Sequence, residues 1–285
     1  MSNYQPDDLI FLFGFSRGAF TARALAGMLN SVGLLRLGSE NLIPYAQRYW
    51  QKDFGPDSPG GKLCAEFKQS LARECPIHFI GVWDTVSSVG FINQFRTFPH
   101  TFTNRYVSHV RHAVSIDERR SCFRQNLMAT SFEGQDVKNA WFHGVHSDIG
   151  GGYPANESGL AKVSFEWVMQ ESMRLGLDID PVAYERELRQ VGSPPDPAGK
   201  LHKSLKGGWW LVELIPTRRY SSADKEYHWH FFEINKPRNV VRDANKPYVY
   251  IHASTLSRLR QCLEYRPPNI PHDEPSLRAT FKIEG

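Results

Sequence analysis

Asp8-Leu-Ile-Phe-Leu-Phe-Gly-Phe-Ser-Arg-Gly-Ala-Phe-Thr-Ala-Arg23 is the stretch that decides the fold of this 285-residue chain. Leu9 to Phe13 is an unbroken apolar run, which suits a strand buried on both faces. Gly14-Phe-Ser16-Arg-Gly18 follows at once, and Ala19 to Leu29 then reads as a helix rich in Ala and Leu. Strand, G-x-S-x-G and helix in that order make a nucleophile elbow. The turn strains the Ser16 backbone and exposes its oxygen at the strand's C-terminal end, while the two glycines let strand and helix approach. The backbone N–H of Arg17 then points to where an oxyanion would form. Two blander readings fit the same pentapeptide. One is a sharp corner with Ser16 as the helix N-cap. The other is an anion site at the helix N-terminus beside Arg17.

Working outward, the composition is that of a globular chain, with 41% hydrophobic and 22% charged residues. The length allows one large α/β domain or a domain with an appendage. Thirty-four Lys and Arg against 30 Asp and Glu leave a net charge of +4, and no basic stripe appears, which argues against nucleic acid as a partner. Cys64, Cys75, Cys122 and Cys262 are scattered without C-x-x-C spacing, so neither a zinc site nor a disulfide framework is expected. Free thiols suit a reducing compartment, and no signal peptide or membrane span is visible, so a cytoplasmic location is expected. A doubly wound sheet usually has strands before its elbow. Here the elbow strand comes almost first, so the expected fold is an N-terminally truncated α/β sheet, mostly parallel and flanked by helices.

Further along, the pattern predicts a short helix over Ile43–Lys52, a Gly- and Pro-rich loop, and a helix over Lys62–Arg73. Pro76 to Trp83 is a second buried strand with Asp84-Thr85 at its end. Residues 87–108 read as an irregular loop beside a site. Val110 to Ile116 is a third strand, closing in Asp117-Glu-Arg-Arg120. Ala140 to Val145 is a fourth, closing in His146-Ser-Asp-Ile-Gly-Gly-Gly-Tyr153. Leu160 to Leu175 has the periodicity of an amphipathic helix. Beyond Asp178 the pattern weakens, so residues 1–178 are expected to form the core and 179–285 an extension packed on it. Short strands are expected at Trp209–Ile215, Tyr227–Ile234 and Tyr248–His252, with a helix over Ala253–Glu264.

Three buried strands thus end in Ser16, Asp84 and His146, and strand ends in a parallel sheet share one crevice. Their order is that of an α/β-hydrolase triad. Serine needs an imidazole to remove its proton, and the imidazole needs a carboxylate to fix its tautomer. Alternatives stay open at each partner. Asp117 and Asp148 compete with Asp84 as the acid, and Asp84 itself would serve as a turn cap. His252 is the runner-up base. His143 lies three residues before His146, and period-two alternation sends the two to opposite faces. A metal site at His143, His146 and Asp148 is disfavoured by that alternation, and no cofactor is expected.

Phe11-Leu-Phe-Gly-Phe-Ser-Arg-Gly-Ala-Phe-Thr-Ala-Arg23, Gly81-Val-Trp-Asp-Thr-Val86, His112-Ala-Val-Ser-Ile-Asp-Glu-Arg-Arg120 and Trp141-Phe-His-Gly-Val-His-Ser-Asp-Ile-Gly-Gly-Gly-Tyr153 together resemble one family. It is the α/β-hydrolase-like domain family that includes the Tle-type phospholipase effectors of type VI secretion. The resemblance implies a Ser–Asp–His hydrolase of carboxylic esters, in some members phospholipids, with Ser16 as nucleophile, Asp84 as acid and His146 as base. It also implies an early Asp-Gly-Thr strand and further α/β units, which this sequence does not contain. Those units supply part of the oxyanion hole, leaving the N–H of Arg17 as the donor identified here. The expected partners are an ester or phospholipid substrate, a lipid surface touched peripherally, and an N-terminal partner segment or a secretion-apparatus protein. Export without a signal peptide is the corresponding alternative location. The rival reading is a catalytically impaired fragment serving as a protein- or lipid-binding module through the aromatic stretch Trp209–Phe232.

Overall fold

The computed structural model describes residues 4–53, 55–86, 98–129, 132–221, 226–230, 234–240 and 249–285. Six strands form one parallel sheet: β1 (Phe11–Phe15), β2 (Ile77–Trp83), β3 (Val107–Ser115), β4 (Asp136–Phe142), β5 (Val249–His252) and β6 (Phe281–Glu284). Their order across the sheet is their order along the chain. The register sets Phe15 beside Trp83, Trp83 beside Ala113 and Ser115 beside Phe142, so the ends of β1 to β4 share one rim. This is an α/β fold.

Helices cover both faces: α1 (Arg17–Val32), α2 (Ile43–Trp50), α3 (Pro59–Leu71), α4 (His146–Gly150), α5 (Gly159–Arg174), α6 (Ala253–Gln261) and α7 (Glu274–Thr280). Alternation along β2 sorts its side chains between the faces. Ile80 and Val82 pack with Ala19 and Ala26 of α1, whereas Phe79 packs with Val163, Trp167 and Val168 of α5. Gly81 lets α5 pack close against the sheet. A Cβ there would lie 2.8 Å from the Val168 side chain and 2.7 Å from the Phe13 ring, so the absent side chain permits the approach. A third cluster, with Val32, Trp50, Cys64 and Phe67, ties α2 and α3 to the outside of α1.

Several expectations change. Trp209–Ile215 is not a strand. It is a helical turn at Trp209–Val212, entered through Gly207 at φ 53 and held by the buried Glu213 carboxylate, which accepts the Ser121 N–H at 2.7 Å. Helix α3 stops at Leu71, and Ala72–Arg73 instead pairs with Leu34–Leu35 in a small antiparallel ladder. Strand β4 ends at Phe142, and Gly144 at φ 120 turns the chain into α4. His143 and His146 are therefore separated by a corner and not by strand alternation. Strand β6 and helix α7 had no clear signal in the sequence. Thr217–Ser221 pairs antiparallel with Glu226–His230, and residues 231–233 of the expected Tyr227–Ile234 strand lie outside the described residues, as do 87–97 of the predicted loop. No helix among the described residues is long and apolar enough to cross a membrane.

Candidate active site

The rim gathers its groups through backbone constraints. Gly14 is needed at the β1–α1 corner, since a Cβ there would meet the Gly18 carbonyl oxygen at 2.4 Å. Gly18 is not needed for that spacing, because its own Cβ would meet nothing within 4 Å. Ser16 sits at φ 59, a left-handed conformation that costs a non-glycine residue of the order of 1–3 kcal/mol. Its side chain makes no N-cap bond to α1, which removes the capping reading. The Ser16 N–H bonds to the Trp83 carbonyl at 3.0 Å and locks the corner onto β2. The first bond of the α1 ladder runs from the Phe20 N–H to the Ser16 carbonyl at 3.3 Å, so the N–H groups of Arg17, Gly18 and Ala19 lie outside it.

Asp84 follows β2 directly and also has positive φ, 39°. Its N–H bonds to the Ala113 carbonyl at 2.7 Å, and its side chain is fully buried. His146 opens α4, with its N–H on Glu118 Oε2 at 3.1 Å. The imidazole lies between the Phe15 ring, 4.6 Å away, and the edge-on Phe123 ring, 4.8 Å away. Its Nε2 is 2.8 Å from Ser16 Oγ, and its Nδ1 is 2.6 Å from Asp84 Oδ2. The geometry suits an Nδ1–H donated to Asp84 and an Nε2 that accepts from the serine hydroxyl. Three residues separated by up to 130 positions thus form one hydrogen-bonded line.

Each oxygen of Asp84 accepts two hydrogen bonds. Oδ1 takes the Ser115 N–H at 2.9 Å and Arg238 Nη1 at 2.5 Å, while Oδ2 takes Arg238 Nη2 at 2.9 Å besides the imidazole. Burial alone pushes this carboxyl up. The Arg238 guanidinium and the His146 hydrogen bond outweigh that and hold it well below the carboxylate range.

The competing residues go elsewhere. Asp117 accepts the Gly144 N–H at 2.7 Å and the Tyr265 hydroxyl at 2.8 Å, and burial pushes its carboxyl up to about 6. Asp148 pairs with His202 Nδ1 at 2.6 Å and accepts the Val145 N–H at 3.1 Å, bracing the start of α4. His143 turns toward Thr255 of α6, and burial holds its imidazole well below its ordinary range. His252 caps α6, accepting from the Ser254 N–H at 3.3 Å. Neither of these two rings is bonded to Ser16. Among the described residues, no group of three His, Cys, Asp or Glu side chains is placed to hold a metal ion.

Three participants were missed in the sequence: Arg238, Glu118 as an acceptor for His146, and His202. Glu118 was legible only as part of an ion-pair cluster. It does pair with Arg120, at 2.9 Å, and it also gathers the N–H groups of Arg119, Arg120 and His146 and the Ser204 hydroxyl. Arg238 and His202 lie in irregular stretches where no periodicity marks a buried side chain.

With this geometry in place, comparison with known proteins gives the class. The model of the type VI secretion Tle1-like phospholipase effector catalytic domain matches residues 1–171, and the chain belongs to that family. The protein YEL023C of Saccharomyces cerevisiae is 47% identical over 132 residues, covering 44% of this chain and 19% of its own length. A crystal structure of a Pseudomonas aeruginosa protein is 21% identical, with a TM-score of 0.37, over 62% of this chain and 25% of that one. The structure of the Tle1 effector bound to the VgrG spike of the type VI secretion system is 26% identical, with a TM-score of 0.29, over 54% of this chain and 27% of that one. The chain thus spans about a fifth of the length of its curated relative.

Proposed function

We propose that this chain carries the reaction centre of a serine hydrolase that cleaves carboxylic esters, with phospholipids as the substrate class. The observation that carries the reading is the unbroken line Ser16–His146–Asp84 at the rim, with hydrogen-bond lengths of 2.8 and 2.6 Å. Membership of a phospholipase effector family supports the substrate class.

In this reading Ser16 Oγ attacks the ester carbonyl carbon while His146 Nε2 takes the hydroxyl proton. The Asp84 carboxylate stabilises the imidazolium that forms. The N–H of Arg17, at the positive end of α1, donates to the developing oxyanion. Collapse breaks the bond to the alcohol leaving group, which takes its proton from His146. Water then attacks the acyl-serine with His146 as base, releasing the acid and restoring the serine hydroxyl.

The turn Trp209–Val212 supports contact with a lipid surface. Trp209 packs edge-on against Phe123, which touches His146, while Trp210, Leu211 and Leu214 are exposed. An apolar rim at this spot suits a substrate that stays partly in its bilayer.

A fluorophosphonate probe tests the nucleophile. Wild type is expected to label at Ser16 and Ser16→Ala not to label, with phospholipid hydrolysis lost in parallel. Equal hydrolysis by Ser16→Ala would overturn the reading, and so would an unlabelled wild type that turns over neither phospholipid vesicles nor short-chain esters.

A further inference from the structure

Asp84 is the residue His146 depends on, yet the side chain that grips it most fully comes from far along the chain. Arg238 is buried, with 1% of its surface exposed, and its two terminal nitrogens take one carboxylate oxygen each. The same nitrogens also reach the Ser115 carbonyl at 3.2 Å and the Phe123 carbonyl. The guanidinium thereby links the acid, the end of β3 and the turn carrying the ring that touches His146.

The backbone around Arg238 is fastened to match. Gln125 Nε2 bonds to the Asn239 carbonyl at 2.9 Å, Arg124 Nη1 to the Pro237 carbonyl at 3.2 Å, and Asn269 Nδ2 to the Arg238 carbonyl at 3.0 Å. Arg119 Nη1 reaches the Asn235 carbonyl at 3.4 Å. Residues 234–240 are thus a strap across the rim, and Arg238 is the side chain it delivers inward. A buried ion pair is poor evidence of a purely stabilising role, because apolar residues of similar volume often do as well. A planar fork, by contrast, fixes the orientation of a carboxylate in a way an apolar side chain cannot.

We propose that Arg238 is a positioning residue of the reaction centre. It fixes the plane of the Asp84 carboxylate so that one oxygen meets His146, and it shares the Asp84 charge between guanidinium and imidazole. The proposal rests on the Ser16–His146–Asp84 reading and reaches beyond residues 1–171, where the family match ends.

The charge sharing has a definite sign. A cation on Asp84 opposes a second positive charge on His146, so removing it favours the imidazolium. The other charged or titratable groups around the pair are accounted for. Glu118 faces the His146 N–H and is forked by Arg120, while Asp148 behind α4 is paired with His202. Neutral-favouring burial governs His112 on β3, and Arg23 of α1 lies on its far side, bonded to the Thr101 and Asn126 carbonyls. Arg17 is exposed at the elbow.

Histidine NMR of the full chain tests the proposal without needing turnover. The His146 ring signal is identified by its loss in His146→Asn. In Arg238→Gln its titration midpoint is expected to rise, with fluorophosphonate labelling of Ser16 slowed about tenfold or more. In Arg238→Lys, which keeps the charge and loses the fork, the midpoint is expected to stay in place while labelling slows roughly threefold to tenfold. A folded Arg238→Gln with an unmoved midpoint overturns the charge sharing, and slower labelling alone would then mark a merely structural residue. If Arg238→Gln does not fold, Arg238→Lys decides: labelling at the wild-type rate overturns the positioning role. A wild type that fails to label while the midpoint still moves sinks the hydrolase reading and leaves the electrostatic coupling standing.

Discussion

In the first 171 residues the groups of the site come from strand ends. Ser16, Asp84 and His146 each stand within a few residues of β1, β2 or β4, on backbone fixed by the sheet ladder and, for the first two, forced to positive φ. After residue 171 the contributions come from irregular chain. His202, Ser204, Glu213, Arg238 and Tyr265 reach in as single side chains, and four of the five meet a buried acid or carboxyl of the first part: Asp148, Glu118, Asp84 and Asp117. Glu213 reverses the pattern by bringing an acid to Ser121. The first part therefore presents the Ser16–His146–Asp84 line, and the second supplies partners to several of the acids that the first part buries. Precise placement comes from the sheet because its ladder is rigid. Charge compensation can come from loops because one hydrogen-bonded side chain is enough to supply it.

The largest expected effect breaks the first part. Asp84→Asn should slow Ser16 labelling and ester turnover by about 10⁴-fold, since the imidazole loses its tautomer partner. A loss below tenfold would mean that Arg238 and Ser115 hold a site that does not use the acid.

Next comes the second part's support for α4. His202→Ala leaves Asp148 buried without its ring and should cost roughly 3 kcal/mol in urea unfolding. Labelling should slow with it, because Asp148 ties down the turn that carries His146. Unchanged stability would show that Tyr153, stacked 3.6 Å from the His202 ring, or solvent satisfies that pocket instead.

Two neighbouring acids give opposite pH signatures. Asp84 is depressed in the folded state, so its contribution to stability is present above its unfolded value of 3.8 and is lost as pH falls through the lower folded value. Asp117 is raised by burial from 3.8 to about 6, so the folded state binds the extra proton and stability falls as pH rises between these values. Asp117→Asn should therefore match wild type near pH 4 and exceed it by roughly 2 kcal/mol at pH 8. Equal stability across that range would mean that the bonds from Gly144 and Tyr265 already offset the burial.

The smallest effect lies at the apolar edge of the second part. Replacing Trp210 and Leu211 with serine should reduce turnover on phospholipid vesicles about threefold to tenfold, with fluorophosphonate labelling in solution unchanged. Equal turnover on vesicles would remove this turn from any role at a lipid surface.

Much of the rim was legible because local pattern and chemistry agreed there. Apolar runs at residues 9–13 and 76–83 and the alternation at 110–116 mark strands, with Ser16, Asp84 and Asp117 just beyond them, although β1 lies at the sheet edge with Leu9 and Phe13 exposed instead of buried on both faces. The choice among Asp84, Asp117 and Asp148 was not decided by pattern, since all three close an element. Register sets which of them lies beside His146: Trp83 pairs with Ala113, which carries Asp84 to the Ser115 N–H and to His146 Nδ1. The helical turn at Trp209 was misread because Trp, Leu, Val and Ile in a row favour either structure, and the buried Glu213 that settles it gives no periodic signal.

By itself the sequence determined the α/β layering, the elbow at Ser16 and the strand ends from which an acid and a base arise. These follow from period, glycine placement and side-chain chemistry within some twenty residues. Only the tertiary structure decided which acid meets which histidine, that Arg238 closes the far side of Asp84, and that β5 and β6 complete the sheet from beyond residue 178. Those outcomes depend on contacts between residues up to 154 positions apart, and nothing local along the chain encodes a partner at that distance.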